Sequence, residues 1–255
     1  MPTIWNTSSF LSAASNSSTE SSKALIVLNL PITKPEIFYR VWRSCQIRYC
    51  ADGGANRLYD FFDSDKERRQ FLPDLIKGDL DSLRSDVRSW YEQAGVRVVE
   101  DPDQYSTDLM KCISSIQAHE KAISANLDII LFGGLTGRLD QTIHTLHYLH
   151  KLRTERDKVW VVSDDEVAWC LDAGEHEIPI DHGILGPTCG ILPLGVTDAV
   201  ISTKGLRWDV ENWETSFSTQ ISTSNQLVST EPVVKITTNR PVWWNVAIQD
   251  LAVSK

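Results

Sequence analysis

From Lys23 onward the chain alternates two textures. Short apolar, β-branched runs ("KALIVLNL", "QIRYCAD", "PDLIKGD", "VRVVED", "LDIILFGG" and "KVWVVSDD") are punctuated by glycine, aspartate, asparagine or proline and predict buried strands. Between them, "PEIFYRVWRS", "ANRLYDFF", "LRSDVRSWYEQAG", "STDLMKCISSIQAHEKA" and "LDQTIHTLHYLHKL" have helical length and predict helices. Buried strands alternating with helices imply a mostly parallel sheet covered on both faces. Ligands of such sheets bind beyond the C-terminal strand ends.

After about Leu171 the helical patterns stop. Period-two stretches such as "AVISTKGLRWDV", "PVVKITTN" and "PVWWNVAIQD", set in sequence rich in Ser, Thr, Gly and Trp, predict hairpins. The expected fold class is therefore α/β: a Rossmann-like, mostly parallel sheet with helices on both faces over residues 23–172, then an all-β sandwich or roll over residues 173–255. Residues 1–22 are serine-rich and are expected to form a disordered tail. Trp243 and Trp244, neighbours in one alternating strand, are expected to divide between core and surface.

Composition narrows the function classes. No stretch reaches the roughly 18 uninterrupted apolar residues of a membrane span, so no membrane role is expected. The net charge of −9, from 34 acids and 25 bases, repels polyanions and argues against nucleic acid as a partner. A small anion can still bind locally, and if it is a nucleotide an acidic protein needs a divalent cation to bridge carboxylates to phosphates. The five cysteines (Cys45, Cys50, Cys112, Cys170, Cys189) are odd in number and contain no C-x-x-C pair. They favour a reducing compartment, and with no signal or transit pattern in "SSFLSAASNSSTESSK" the expectation is a cytoplasmic protein.

Acids gather at the predicted strand ends: Asp52 after "IRYCA", Asp79 and Asp81 after "LIKG", Asp101 and Asp103 after "RVVE", and Asp140 just past "LFGGLTGR". Like charges on one rim repel unless a cation sits among them, and Mg2+ with oxygen ligands is the simplest such ion. For "GDLDS" the plain alternative is that Asp81 or Ser82 caps a helix beginning near Leu83. Phosphatases with an aspartyl nucleophile also carry paired acids, but usually with a threonine where Leu83 stands. In "DPDQYSTDLMKC", Ser106 or Thr107 can cap a helix that opens with Asp108, and Lys111 shares a face with Asp108.

"ADGGANRLYD" and "LFGGLTGRLDQ" place glycines between strand and helix, where backbone N–H groups can face phosphate oxygens, and Arg138 adds a guanidinium suited to them. His144, His147 and His150 fall at spacings of three, which also describes an ordinary amphipathic stripe. Trp208, after "TKGLR", is placed to be a stacking platform. No P-loop, dinucleotide fingerprint, nucleophile elbow or kinase signature is present. The residues alone describe a magnesium-dependent enzyme handling a phosphorylated nucleotide.

"CADGGANRLYD", "PDLIKGDLDS", "DQYSTDLMKC", "GGLTGRLDQTIHTL", "CGILPLG", "TKGLRW" and "STSN", in this order, resemble the eukaryotic thiamine pyrophosphokinase family from about Leu25 to Ile248. The resemblance implies transfer of the pyrophosphoryl group of ATP to thiamine, giving thiamine diphosphate and AMP. It implies a homodimer with active sites shared between subunits. Carried over by position, it makes Asp79, Asp81 and Asp108 the catalytic, Mg2+-binding acids. It sets Asp52, Gly53, Asn56, Gln104, Thr107, Lys111, Arg138, Asp140 and Gln141 on the ATP and phosphate side, and Trp208, Ser222, Ser224 and Asn225 on the thiamine side. An ordinary γ-phosphoryl kinase and a non-catalytic thiamine or nucleotide sensor are the alternatives.

Overall fold

The computed structural model describes residues 1–13 and 22–251. In chain order the elements are β1 (Thr3–Ile4), α1 (Ser8–Leu11), β2 (Lys23–Val27), α2 (Pro35–Ser44), β3 (Ile47–Ala51), α3 (Gly54–Phe61), α4 (Asp65–Arg68), β4 (Leu75–Gly78), α5 (Ser85–Gln93), β5 (Arg97–Glu100), α6 (Asp108–Ile123), β6 (Asp128–Phe132), α7 (Leu139–Leu152) and β7 (Val159–Val162). Strands alone follow: β8 (Glu166–Leu171), β9 (Gly174–Pro179), β10 (Leu185–Leu192), β11 (Ala199–Lys204), β12 (Trp213–Thr215), β13 (Ser222–Gln226), β14 (Val233–Thr238) and β15 (Val242–Ile248).

Ten strands form one sheet in the order β13-β10-β15-β8-β7-β6-β2-β3-β4-β5. From β5 to β7 all neighbours are parallel, and from β7 to β13 they are antiparallel. The chain winds from β2 outward to β5, then returns to lay β6 on the other side of β2. The β2/β6 junction is thus the switch point, where loops diverge and a crevice opens.

Period-two strands feed two cores. Leu25 and Val27 of β2 join Phe38, Val41 and Trp42 of α2, Leu58 of α3 and Tyr91 of α5 on one face. Ala24 and Ile26 join Cys112, Ile113 and Ile116 of α6 and Leu149 of α7 on the other. A second sheet, β1-β9-β14-β11-β12, covers the antiparallel half of the large sheet, with Ile178, Ile201 and Ile236 meeting Trp169 and Trp244.

Three expectations need correction. The boundary near Leu171 separates helical from all-strand sequence, but it does not separate sheets: β10, β13 and β15 extend the sheet that β2 to β7 begin. The expected tail is ordered over residues 1–13. β1 pairs in parallel with β9, the Trp5 ring stacks on Trp169 at 5.6 Å, and Phe10 lies 5.1 Å from Trp160. Serine-rich composition masked three apolar anchors, Trp5, Phe10 and Leu11, all buried; residues 14–21 lie outside the described residues. Trp243 and Trp244 are both buried, because β15 is an inner strand with each face covered by a different core.

Candidate active site

A cleft of about 610 Å3 lies at the switch point, beyond the C-terminal ends of β2, β3, β4 and β6 and against the N-termini of α6 and α7. Its floor is acidic. Asp52 ends β3 with a left-handed φ of 41°, a conformation a non-glycine residue adopts only when its surroundings hold it there. Asp79 follows β4, and Asp108 opens α6. One carboxylate oxygen from each of the three lies within 4.8 Å of the others.

Local structure brings them together. A Cβ on Gly78 would stand 2.6 Å from the Asp52 Cβ and 2.9 Å from Asp108 Oδ1, so only glycine at the end of β4 lets these side chains close over it. The Asp79 N–H donates to Asp108 Oδ1 at 3.2 Å, and the Ser82 N–H donates to Asp52 Oδ2 at 3.1 Å. Asp79 Oδ1 accepts from the Asp81 N–H at 3.2 Å, closing a turn with Leu80 at φ 64°. Asn56 holds this turn from below: its amide donates to Ser82 O at 2.7 Å and accepts from the Arg84 N–H at 3.1 Å.

Burial pushes the Asp52 carboxyl above the usual range against the Ser82 N–H bond, and Asp108 adds to the rise. Asp108 is raised too, by burial first, while the Asp79 N–H and Lys111 oppose the rise. Among the described residues, the buried Asp52 Oδ1 has no hydrogen-bond partner. A buried carboxylate oxygen left open, beside two more carboxylates, is what a hard divalent cation would satisfy.

The remaining expected residues separate into three groups. Gly53, Gln104, Thr107, Arg138 and Gln141 line the cleft with the acids. Gln104 reaches Asp79 Oδ2 at 3.4 Å, and Thr107 caps α6 through the Met110 N–H at 3.4 Å. Lys111 is buried behind the cleft with Nζ 3.4 Å from Asp108 Oδ1, so it acts through Asp108. Asp81 and Asp140 face outward: the Asp81 carboxylate accepts from Ser82 Oγ at 2.9 Å, and Asp140 holds Arg138 in a bidentate pair at 3.1 and 2.6 Å. Neither Asp81 nor Ser82 caps α5, which starts at Ser85 with no side-chain cap. The three histidines do not converge: His144 sits 3.5 Å from Thr107 Oγ1, whereas His150 faces Cys170 at 3.9 Å.

At the far edge of the sheet a second constellation forms around Trp208, which is 53% exposed. Asn225 of β13 clamps its main chain, accepting from the Trp208 N–H at 3.3 Å and donating to its carbonyl at 2.9 Å. Arg207 lies 4.8 Å from the indole centroid. Ser222 and Ser224 belong to β13, beside an irregularity in its pairing with β10.

A family model described as "Thiamin pyrophosphokinase, catalytic domain" matches residues 38–161, and one described as "Thiamin pyrophosphokinase, vitamin B1 binding domain" matches residues 175–243. Thiamine pyrophosphokinase 3 of Oryza sativa subsp. japonica is 37% identical over 236 residues, covering 89% of this chain and 87% of the relative. The chain belongs to the thiamin pyrophosphokinase family. Thiamine pyrophosphokinase 1 of Arabidopsis thaliana is 36% identical over 264 residues, 100% of this chain and 97% of that one. The solved thiamin pyrophosphokinase from Candida albicans superposes with a TM-score of 0.85 at 26% identity, covering 97% of this chain and 93% of its own.

Within this chain, the acid cluster falls in the stretch matched by the catalytic-domain model and the Trp208 constellation in the stretch matched by the other. Sequence reasoning missed Asn29 and Arg57, which line the cleft, and His144, noted only for its spacing in a histidine stripe, lines it too. Arg57 sits one helical turn past "DGG", and that spacing was the available signal. Asn29, in an ordinary loop after a strand, gave none.

Proposed function

We propose that this protein transfers the pyrophosphoryl group of ATP to the hydroxyethyl oxygen of thiamine, giving thiamine diphosphate and AMP. The observation that carries this reading is the carboxylate cluster of Asp52, Asp79 and Asp108 at the switch-point cleft, inside the stretch matched by the catalytic-domain model. Such a cluster handles an anion only through a bridging cation, and hard oxygen donors with the open Asp52 Oδ1 fit Mg2+. Asp52, Asp79 and Asp108 would hold it, with the exposed Asp81 carboxylate, which accepts from Ser82 Oγ, two residues along the same turn from Asp79. When bound, the ion supplies charge neutralisation on the triphosphate.

The chain's own groups do the rest. In the transfer, the thiamine oxygen bonds to the β-phosphorus while the bond from that phosphorus to the α,β-bridging oxygen breaks, releasing AMP. The hydroxyl proton passes to a carboxylate of the cluster. Gln104, Arg138 and Gln141 border the same cleft and orient the nucleotide. Trp208 offers an indole face to a cationic thiazolium, with Asn225 fixing the main chain behind it.

A homodimer with shared sites is the assembly this reading favours. β13 and β3 are seven strand steps apart in the sheet order, about 34 Å measured along the sheet at ~4.8 Å per step. Trp208, clamped to the edge strand β13 by Asn225, and the acid cluster beyond β3 stand at separate places in the fold, which supports a site completed by a second copy. All five cysteines are free and buried, in keeping with a reducing, cytoplasmic setting. Incubation with thiamine, ATP and Mg2+ tests the activity. AMP with thiamine diphosphate supports it, ADP with thiamine monophosphate would indicate γ-phosphoryl transfer, and no product would indicate a sensor.

A further inference from the structure

Besides its three acids the cleft is lined by two arginines, Arg57 and Arg138. Their guanidinium groups differ in what they already hold. Arg138 gives Nε and Nη2 to Asp140, and its side chain is 74% exposed. Arg57, in the first turn of α3, gives only Nε, to Asn29 Oδ1 at 2.8 Å, and among the described residues Nη1 and Nη2 have neither a hydrogen bond nor an ion pair. The acid one turn along the same helix, Asp60, accepts from Arg84 on both of its oxygens at 2.7 Å and has no hydrogen bond from Arg57 among the described residues.

Asn29 is itself held in place. A Cβ on Gly53 would lie 2.3 Å from Asn29 Nδ2, so the glycine lets the loop after β2 settle against the start of α3 and reach Arg57. An arginine with its Nε fixed and its outer nitrogens open presents a planar two-donor fork, the geometry that matches a phosphate group. A polyphosphate in this cleft meets three carboxylates, and one divalent cation leaves negative charge unbalanced.

We propose that Arg57 grips the polyphosphate of the nucleotide, with Asn29 as its positioning residue; this rests on the functional reading above. The test is steady-state kinetics of full-length Arg57→Ala, Arg57→Lys and Asn29→Ala, with thermal melting alongside. Loss of a charge-assisted pair should raise KM for ATP about 10- to 100-fold in Arg57→Ala. KM for thiamine and the melting temperature should hold. Arg57→Lys should recover part of the loss by restoring charge without the fork, and Asn29→Ala should fall between Arg57→Ala and wild type. An unchanged KM for ATP in Arg57→Ala, or an equal rise in both KM values, overturns the proposal alone. A wild-type protein that turns over no thiamine with ATP overturns the functional reading as well.

Discussion

The Asp79 N–H donates to Asp108 Oδ1 at 3.2 Å, which locks the turn after β4 to the first turn of α6. An asparagine at position 108 still offers that acceptor, and one at position 52 still accepts from the Ser82 N–H. Asp52→Asn and Asp108→Asn should therefore lower kcat about a hundredfold or more, because charge facing the reacting phosphate is lost. Calorimetry should show melting temperatures close to wild type. A collapse in stability that accounts for the lost activity would make the cluster structural.

Asp79→Asn isolates the remaining acid. Its Oδ1 accepts the turn-closing Asp81 N–H bond, which asparagine can also accept. Turnover should be abolished and the melting temperature nearly unchanged. Titration of the apoprotein with Mg2+ by calorimetry should show weaker binding than wild type.

Behind the cleft, α6 is fastened to the chain after α7 by a buried pair. Glu120 accepts from Arg156 at 2.8 and 2.6 Å and from the Leu127 N–H at 2.8 Å. Burial alone would raise this carboxyl, but the Arg156 and Leu127 bonds outweigh it and hold it below its ordinary value of 4.5. A depressed folded-state value means the contribution is complete above that ordinary value and is lost as pH falls through the folded one. Glu120→Ala leaves a guanidinium buried and unpaired and should cost about 3–5 kcal/mol at neutral pH in urea denaturation. The gap from wild type should shrink as the buffer is taken progressively below pH 4.5.

Trp5 donates its indole N–H to His176 Nδ1 at 3.1 Å, while His176 Nε2 lies 2.8 Å from the Asp172 carbonyl. Both bonds fit the neutral ring protonated on Nε2. Burial lowers the His176 value below 6.5 against the pull of Asp172, so stability is complete above 6.5 and falls as pH drops below it. Trp5→Ala should cost about 3–5 kcal/mol by lost packing against Trp169 and Trp160. The wild-type denaturation midpoint should fall between about pH 7.5 and pH 5.5.

Legibility in the sequence followed how local each signal was. The apolar runs from "KALIV" to "VWVV" and the segments between them mark β2 to β7 and the five longer helices, since burial on two faces leaves unbroken apolar strands. Asp52 and Asp79 were visible because strand ends converge on one rim in a parallel sheet, and Asp108 because Thr107 marks the start of the helix it opens. The sharing of one sheet by β10, β13 and β15 was not visible, because pairing partners far apart in sequence leave no periodic trace. The same holds for Trp5, whose role depends on Trp169 and His176 more than 160 residues away. Arg57 stayed hidden for a further reason: that Asp60 accepts from Arg84 is set by the fold.

The central claim is that one working site joins the acid cluster of one chain to the Trp208 platform of another. Mixing two inactive variants, Asp79→Asn and Trp208→Ala, tests it most directly. A two-fold dimer carries two composite sites, and a mixed pair keeps one of them intact, so activity should return to as much as about a quarter of wild type after subunit exchange. If the mixture forms mixed dimers, shown by a mass difference between tagged chains, yet stays as inactive as either parent, the shared-site account is contradicted.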